Sequence, residues 1–232
     1  MECMAANDAP PALQTLDRGV RVLELLADAP GALTIAQIAD GLGVHRSIAY
    51  RLLRTLERHR LVRRDENGGY RPGVGLAVLA RTVDASLQAA ALPELTELAR
   101  DLGMTAFVVV RDGDDAVTLH TVEPRQSQVH VAYRPGIRHP VDRGAPGLAL
   151  LAGAPALAGE REEVRTARGR GWAWSSGEVL TGLSSVSAPI LDRNRVAVAA
   201  VAVVYLDDGA EDRDGLGRRV VAAAEAIARE LP

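Results

Sequence analysis

Four arginines, a serine and a tyrosine share one side of a helix that the hydrophobic pattern predicts between residues 44 and 60. Placed at about 100° per residue, the polar side consists of Arg46, Ser47, Tyr50, Arg51, Arg54, Glu57 and Arg58, and the apolar side of Ile48, Ala49, Leu52, Leu53, Leu56 and His59. A solvated helix face usually mixes acids with bases, whereas this face carries a single glutamate. Arginine, serine and tyrosine side chains contact DNA phosphates and base edges. The pattern therefore favours a DNA-binding helix, with a surface helix of an ordinary bundle as the alternative.

A shorter predicted helix precedes the basic one and would hold it in place. Thr34 is a candidate N-cap before four apolar residues at helical spacing. Gly43 is the residue type that ends helices in the left-handed conformation. The basic helix then begins near Val44 or His45 and runs to about Arg60. Two helices joined by a glycine-containing turn, the second with a basic face, form a helix-turn-helix.

Segments on both sides complete a small domain. The stretch from Leu16 to Ala29 predicts a core helix, whose apolar side holds Leu16, Val20, Leu23 and Leu26. After the basic helix, Val62 and Tyr70 flank a turn-rich segment, which is typical of a hairpin. A hairpin in this position is a wing, so residues 14–73 are predicted to form a winged helix-turn-helix. Residues 1–13 are predicted to be a disordered tail.

Each polar residue of this domain has an expected role. We expect base contacts from Arg46, Ser47, Tyr50 and Arg51, and phosphate contacts from Arg54, Arg63 and Arg64. Positive charge is also concentrated here, because residues 16–64 hold nine arginines and five acids in a chain of net charge −3. A local excess is what a DNA-binding module attached to another domain requires.

Other patterns argue against catalytic and metal chemistry. The one cysteine, Cys3, offers no disulfide or metal cluster, and the five histidines lack the spacing of metal ligands. The serines near residue 185 lie in no Gly-x-Ser-x-Gly turn. We therefore expect no cofactor, no metal and no enzyme activity. No signal peptide is visible, and the longest apolar run, residues 196–206, is about half of what a bilayer requires, so we expect a cytoplasmic protein without a membrane partner.

The rest of the chain predicts a linker helix over residues 74–88 and a second domain over residues 89–232. A helix is predicted to start near Pro93 and to end at Gly103. The later predicted elements are strands at Thr105–Val110, Ala116–Val122, Gln128–Tyr133, Val186–Leu191 and Val196–Leu206, and helices at Pro146–Ala152, Gly159–Arg168 and residues 212–230. Strands in runs with helices around them indicate an α+β domain with a central antiparallel sheet.

The order of these motifs resembles the IclR-type transcriptional regulators from about Leu16 to Leu231. Three stretches carry the likeness: the helix-turn-helix with Ser47, Tyr50 and Arg51-Leu52-Leu53, the segment from Pro140 to Ala152, and the segment from Arg170 to Ile190. The resemblance implies a winged helix, a linker helix and a C-terminal effector-sensing domain of GAF-like fold that also oligomerises.

The resemblance also implies an effector pocket in the second domain. Its expected lining residues are Ala145, Pro146, Leu148, Leu151, Glu178, Leu183, Ser185, Ala202 and Val204, with the segment Ser175–Glu178 contributing. Leu148 stands where relatives frequently have lysine, and Ala202 and Val204 where others have serine. A wall with few polar groups favours a small apolar or aromatic effector. Trp172 and Trp174 would stack on a ring or pack in the core, and Arg143 would pair with an effector carboxylate or with a surface acid.

The sequence thus predicts a ligand-responsive regulator that binds double-stranded DNA, with repression expected over activation. One winged helix makes few contacts, so we expect a dimer or a dimer of dimers on a pseudo-palindromic operator. Two alternatives stay open. The second domain would only oligomerise a ligand-independent DNA-binding protein, or it would be an enzyme fused to a DNA-binding module.

Overall fold

The computed structural model describes residues 13–125, 131–206, 209 and 212–231. The chain divides after Val83 into two compact units. The predicted tail, apart from Leu13, lies outside the described residues. Within the described ranges, no helix combines the length and the hydrophobicity needed to cross a bilayer.

The N-terminal unit has the predicted order of a core helix, a helix-turn-helix and a wing. Its elements are α1 (Gln14–Asp28), α2 (Ile35–Leu42), α3 (Arg46–Arg58), β1 (Val62–Arg64), β2 (Tyr70–Pro72) and α4 (Val74–Ala80). The strands β1 and β2 pair antiparallel, with Arg63 opposite Arg71. A backbone bridge between Leu33 and Tyr70 ties the wing to the segment before α2.

Local signals fix the ends of the helix-turn-helix. Thr34 caps α2, and its side chain and that of Gln37 form a reciprocal capping box. Gly43 ends α2 at φ +63°, in the left-handed region where a glycine has no steric penalty. Both features were predicted, and together they define where the chain turns into α3.

The core of this unit differs from prediction along α1. Val22 and Leu26 are buried against the apolar sides of α2 and α3 and against Val62 and Tyr70. Leu16 and Val20, which were predicted to be on the packed side, are 66% and 47% exposed. The buried stripe passes through Gly19, Val22 and Leu26, because the packed face is rotated away from the one that the leucine spacing indicated.

The segment predicted as one linker helix is two separate pieces. Helix α4 ends at Ala80, and residues 81–84 are not helical. Asp84 has φ +45°, a conformation that aspartate tolerates better than most residues. Helix α5 then starts at Ala85 and contains Pro93 in its interior, so the predicted start near Pro93 was wrong by about two turns.

The C-terminal unit is an α+β fold, as predicted. Its elements are α5 (Ala85–Leu102), β3 (Thr105–Asp112), β4 (Asp115–Val122), β5 (Arg138–Pro140), α6 (Gly144–Ala152), α7 (Glu162–Arg170), β6 (Ala173–Ser176), β7 (Leu183–Leu191), β8 (Ala197–Leu206) and α8 (Arg213–Glu230). The strands form one sheet in the order β5-β4-β3-β8-β7-β6, with all neighbours antiparallel. Helices α5 and α8 cover one face, and α6 and α7 cover the other.

Side-chain alternation along the central strands builds a core on each face. Val201 and Val203 of β8 point towards α5 and α8, whereas Ala202 and Val204 point towards α6. The predicted β7–β8 hairpin is confirmed, with Asp192 accepting backbone N–H bonds from Asn194 and Val196 in the turn. These alternating residues place α6 directly over one face of β8 and β7.

One predicted strand was wrong in position. Of the predicted strand Gln128–Tyr133, residues 128–130 lie outside the described residues, and residues 131–133 form no strand. The strand beyond β4 at this edge of the sheet is instead β5, which pairs with β4 from Asp115 to Val117. Three residues are too few to give a periodic signal, which is why the sequence did not predict it.

Candidate nucleic-acid interface and effector cavity

The exposed side of α3 presents two arginines, Arg46 and Arg51, to solvent. Ala49, Leu52 and Leu53 hold the opposite side in the core, as predicted. Tyr50 is 49% exposed, and Arg46 and Arg51 are exposed beside it. In the described part of the chain, neither Arg46 nor Arg51 forms a salt bridge or a side-chain hydrogen bond.

Arg54, the predicted phosphate contact on this helix, forms only a weak ion pair within the protein. Arg54 lies 3.9 Å from Glu57, and the arginine side chain is 65% exposed. A solvent-exposed pair at that distance contributes at most about 1 kcal/mol. Arg54 is therefore available to exchange Glu57 for a phosphate.

Ser47 is held at the start of α3 by the residue that caps the helix. The Nδ1 atom of His45 accepts the Ser47 backbone N–H at 3.3 Å and lies 3.0 Å from the Ser47 hydroxyl. A histidine in the N-cap position was not predicted, since serine, threonine, aspartate and asparagine are the usual caps. The contact orients the Ser47 side chain before any ligand binds.

Two arginines of the wing differ in whether their side chains are bonded within the protein. The carboxylate of Asp65 accepts the N–H groups of Asn67 and Gly69 and closes the turn. The Nε of Arg64 donates to the Gly68 carbonyl at 3.3 Å, so this side chain folds back on the turn. Arg63 is exposed and, among the described residues, has neither a salt bridge nor a side-chain hydrogen bond.

A shallow open groove joins these features within the N-terminal unit. Its walls are the start of α2 at Thr34 and Ile35, the α3 residues Arg46 and Tyr50, and the wing residue Gly68. A groove bordered by a helix N-terminus, a basic helix face and a wing suits a polyanion.

The C-terminal unit contains a cavity between the α6 side of the sheet and the loop that follows β6. Its volume is about 30 Å³, far below the roughly 300–1,000 Å³ of ligand pockets. The lining residues are Phe107, Tyr133, His139, Gly144, Pro146, Ser175, Glu178, Val179, Leu180, Leu183, Ser184, Ser185 and Val204. A larger ligand would require this wall to move.

Two side chains of the cavity cap the first N–H groups of α6. Ser175 Oγ accepts the Ala145 N–H at 2.7 Å, and Glu178 Oε2 accepts the Gly144 N–H at 2.8 Å. Arg161 donates to Glu178 Oε1 at 2.9 Å. Burial raises the pKa of Glu178, but Arg161 and the Gly144 N–H lower it more, so the net pKa is below the ordinary value. Glu178 is thus ionised at neutral pH.

Five of the nine predicted effector residues line this cavity: Pro146, Glu178, Leu183, Ser185 and Val204. The other four, Ala145, Leu148, Leu151 and Ala202, pack in the core between α6 and the sheet. Leu148 and Ala202 are fully buried there. Leu148 and Leu151 lie beyond the first turn of α6, which reaches the cavity through Gly144 and Pro146, and Ala202 lies on β8 in the core beneath α6.

The cavity also contains polar groups that sequence reasoning missed. Tyr133, His139 and Ser184 line it, together with the apolar residues Phe107, Val179 and Leu180. The wall is therefore more polar than predicted. No local pattern marks these residues, because they come from separate strands and loops that only the fold brings together.

Three further predicted candidates lie elsewhere. Trp172 and Trp174 pack on the other face of the sheet with α5 and α8, and an arginine stacks on each ring. Core packing, one of the two predicted roles, is therefore the observed one. Arg143 is exposed and does not line the cavity. In the described ranges, no group of three histidine, cysteine, aspartate or glutamate residues could hold a metal ion.

Known proteins match both units. The IclR helix-turn-helix domain matches residues 15–66, and the bacterial transcriptional regulator IclR C-terminal domain matches residues 80–161 and 156–231. The glycerol operon regulatory protein of Streptomyces griseus is 30% identical to this chain over 94% of this chain and 96% of its own length.

Solved structures share the arrangement of elements. An IclR transcriptional regulator from Alicyclobacillus acidocaldarius is 26% identical, with a TM-score of 0.77 over 96% of this chain and 100% of the other. An IclR homologue from Microbacterium hydrocarbonoxydans, complexed with 4-hydroxybenzoate, has a TM-score of 0.79 at 22% identity over 94% and 98%, a likeness of fold alone. With both domains matched over most of its length, this chain belongs to the IclR family of bacterial DNA-binding transcriptional regulators.

Proposed function

We propose that this regulator responds to a small-molecule effector in the cavity of its C-terminal unit. The proposed DNA contacts rest on the exposed side of α3, where Arg46 and Arg51 have no acidic partner among the described residues. Arginine contacts guanine O6 and N7 through two parallel hydrogen bonds, and each such pair contributes about 1–3 kcal/mol of discrimination. Ser47 and Tyr50 lie beside them, and Arg54, Arg63 and Arg64 are the proposed phosphate contacts.

The cavity supports an effector with an apolar or aromatic body. Phe107, Pro146, Leu183 and Val204 supply apolar surface on several sides, as ligand pockets usually do. The related fold from Microbacterium hydrocarbonoxydans was solved in complex with 4-hydroxybenzoate, which supports a ligand with an aromatic ring here. Effector binding and operator binding are thermodynamically linked. An effector that weakens DNA binding must therefore itself bind the DNA-bound form more weakly.

We further propose that the active species is a homodimer or a dimer of dimers acting on chromosomal DNA in the cytoplasm. A single helix-turn-helix reaches one half-site, whereas two copies related by a two-fold axis reach both halves of a pseudo-palindrome. The relatives are regulators, which supports a regulatory rather than a catalytic C-terminal unit. Repressors and activators of transcription share this architecture, and we propose that this protein is a repressor.

A combined thermal and DNA-binding screen tests the effector proposal. Full-length protein is screened against a metabolite library for a rise in melting temperature, since a ligand that binds only the folded state must stabilise it. Each stabilising compound is then added to an operator fragment obtained by in vitro selection. We expect at least one compound to change operator affinity about tenfold, within the usual range of allosteric coupling. Stabilisation without any change in operator affinity, or no stabilisation at all, would favour the ligand-independent alternative.

A further inference from the structure

The charged group at the cavity is an anion. Of the lining residues, Glu178 is the one with an ordinarily charged side chain, and no lysine or arginine lines the wall. Arg161, the cation nearest to it, is already engaged. It donates to both Glu178 oxygens and also to the Asp142 carbonyl and Glu163.

Glu178 also occupies the place where an incoming anion would bind best. The N-terminus of α6 carries partial positive charge on its free N–H groups, which attract anions. Here the Gly144 N–H donates to Glu178 and the Ala145 N–H donates to Ser175, and Pro146 has no N–H. An effector carboxylate would therefore face a fixed carboxylate without a free cation, and the two charges would repel each other in a partly desolvated site.

Two neutral side chains of the wall, Ser185 and His139, offer acceptors. The Ser185 hydroxyl donates to the Val203 carbonyl at 2.9 Å, which leaves its oxygen lone pairs for a ligand. His139 Nδ1 lies 3.0 Å from the Pro140 carbonyl. A carbonyl only accepts, so this contact fits the tautomer with its hydrogen on Nδ1, in which Nε2 is an acceptor.

Two wall residues, Ser175 and Tyr133, carry a hydroxyl hydrogen that can be donated. Ser175 Oγ accepts the Ala145 N–H, so its own hydroxyl hydrogen can be donated to a ligand. Together with the Ser185, His139 and Glu178 acceptors, this inventory matches a ligand that has hydroxyl groups. A hydroxyl both donates and accepts, whereas a carboxylate only accepts.

We propose that the cavity selects an uncharged, hydroxylated effector with a small aromatic or apolar body, and that Glu178 is the specificity-determining residue that excludes carboxylic acids. This rests on the proposed function of the cavity as the effector site. The ligand's hydroxyls bond to Ser185, His139 and Glu178, and its apolar part packs on Phe107 and Leu183. Because the cavity volume is only about 30 Å³, binding of such an effector requires residues of its wall to move apart.

Matched ligand pairs test this selection directly. The probes are benzyl alcohol against benzoate, 4-hydroxybenzyl alcohol against 4-hydroxybenzoate, and 1,2-propanediol against lactate, with binding measured by thermal shift and calorimetry on the full-length protein. We expect the neutral member of at least one pair to bind the wild type at least tenfold more tightly than its acid. Binding of an acid equal to or tighter than its neutral partner overturns the proposal.

Two glutamate variants separate the cavity charge from general charge effects. Glu178→Gln keeps an oxygen that can accept the Gly144 N–H but removes the negative charge, so the acids should gain about tenfold in affinity. Glu163→Gln removes an equal charge that also contacts Arg161 but does not line the cavity, and it should leave the preference unchanged. An unchanged preference in Glu178→Gln, or an equal change in both variants, contradicts the role of Glu178.

A third variant keeps the test decisive if Glu178→Gln does not fold. Ser185→Ala should lower the affinity for the hydroxylated probe about threefold to tenfold, the effect of one net hydrogen bond. The affinity for toluene should be unchanged. Equal losses for both probes refute the acceptor assignment. If acids bind and alter operator affinity, this inference fails while the proposed function stands. If no probe of either class binds, this inference fails, and the metabolite screen decides the proposed function separately.

Discussion

An arginine whose hydrogen bonds are already made within the protein cannot contact DNA without first breaking them. In the C-terminal unit, Arg168 donates to the Ala152 and Ala154 carbonyls and to Glu160, and Arg161 is similarly engaged by Glu178. These side chains hold loops together. Arg46 and Arg51 on α3 have no such partner among the described residues, so the five N–H donors of each side chain remain for a ligand.

Substitution of Arg51 tests base recognition at the level of one residue. Arg51→Ala should weaken specific operator binding by about 1–3 kcal/mol and relax base preference at one position of each half-site. Fluorescence anisotropy with the operator and with single-base variants of it measures both effects. The folded state should be unaffected, because Arg51 is exposed.

Arg193→Ala, in the β7–β8 turn of the other unit, is the matched control and should bind the operator like the wild type. Equal operator affinity for Arg51→Ala and the wild type would remove Arg51 from the base contacts.

The two wing arginines should differ in their electrostatic contribution. Arg63→Ala should reduce the slope of log affinity against log salt concentration by about one, the value expected for one lost phosphate contact. Arg64→Ala should reduce it less, because Arg64 already donates to the Gly68 carbonyl. Operator titrations at four salt concentrations give the slopes. A slope that Arg63→Ala leaves unchanged excludes Arg63 from the phosphate contacts.

At the level of elements, local signals decided which predictions succeeded. The capping residue Thr34, the left-handed Gly43 and the Asp65 turn each act within a few residues of chain, so the helix-turn-helix and the wing were predicted in the right places. The start of α5 was not, since Pro93 suggested a helix start and the true break lies at Asp84. Edge strand β5 depends on pairing with β4, which no local pattern encodes.

The cavity was only partly predictable for the same reason. Pro146, Glu178, Leu183, Ser185 and Val204 were expected from family resemblance, and these do line it. Other lining residues come from β3, from the chain before β5 and from β5 itself, and the sequence gives no reason to group them. Leu148 was expected in the wall but lies in the core, because a wholly apolar helix such as α6 has no polar side to show which residues face the sheet. Ala202 lies on the central strand β8, which is buried on both faces and shows no polar alternation either.

Close packing at the start of α6 predicts opposite effects for two helical glycines. A Cβ on Gly147 would overlap the Val141 carbonyl, whereas a Cβ on Gly169 in α7 meets nothing within 4 Å. Gly147→Ala should destabilise the C-terminal unit by about 1–3 kcal/mol, and Gly169→Ala should stabilise it by about 0.5–1 kcal/mol.

Denaturant unfolding followed by tryptophan fluorescence measures both changes in one unit. The chain has two tryptophans, Trp172 and Trp174, and both lie in the C-terminal unit, so the signal does not include the N-terminal unit. Equal effects of the two substitutions would show that helix propensity, and not the contact with Val141, governs the start of α6.

At the scale of the whole molecule, function requires one unit to bind DNA and the other to alter that binding. A net charge of −3 for the chain does not prevent this, because the excess of arginine is confined to the N-terminal unit and charges beyond about 10 Å are screened at physiological salt. The effector's influence is limited to its differential affinity for the DNA-bound and free forms. Measuring both affinities with a single compound therefore gives the coupling between the units.

In vitro selection of DNA from a random library by the full-length protein tests the central claim most directly. The account predicts enrichment of a pseudo-palindrome whose half-sites are about one or two helical turns apart, and loss of that enrichment when Arg46 and Arg51 are both replaced by alanine. A library that shows no enriched sequence with the wild type at low salt, or the same sequence enriched with and without the two arginines, would contradict it.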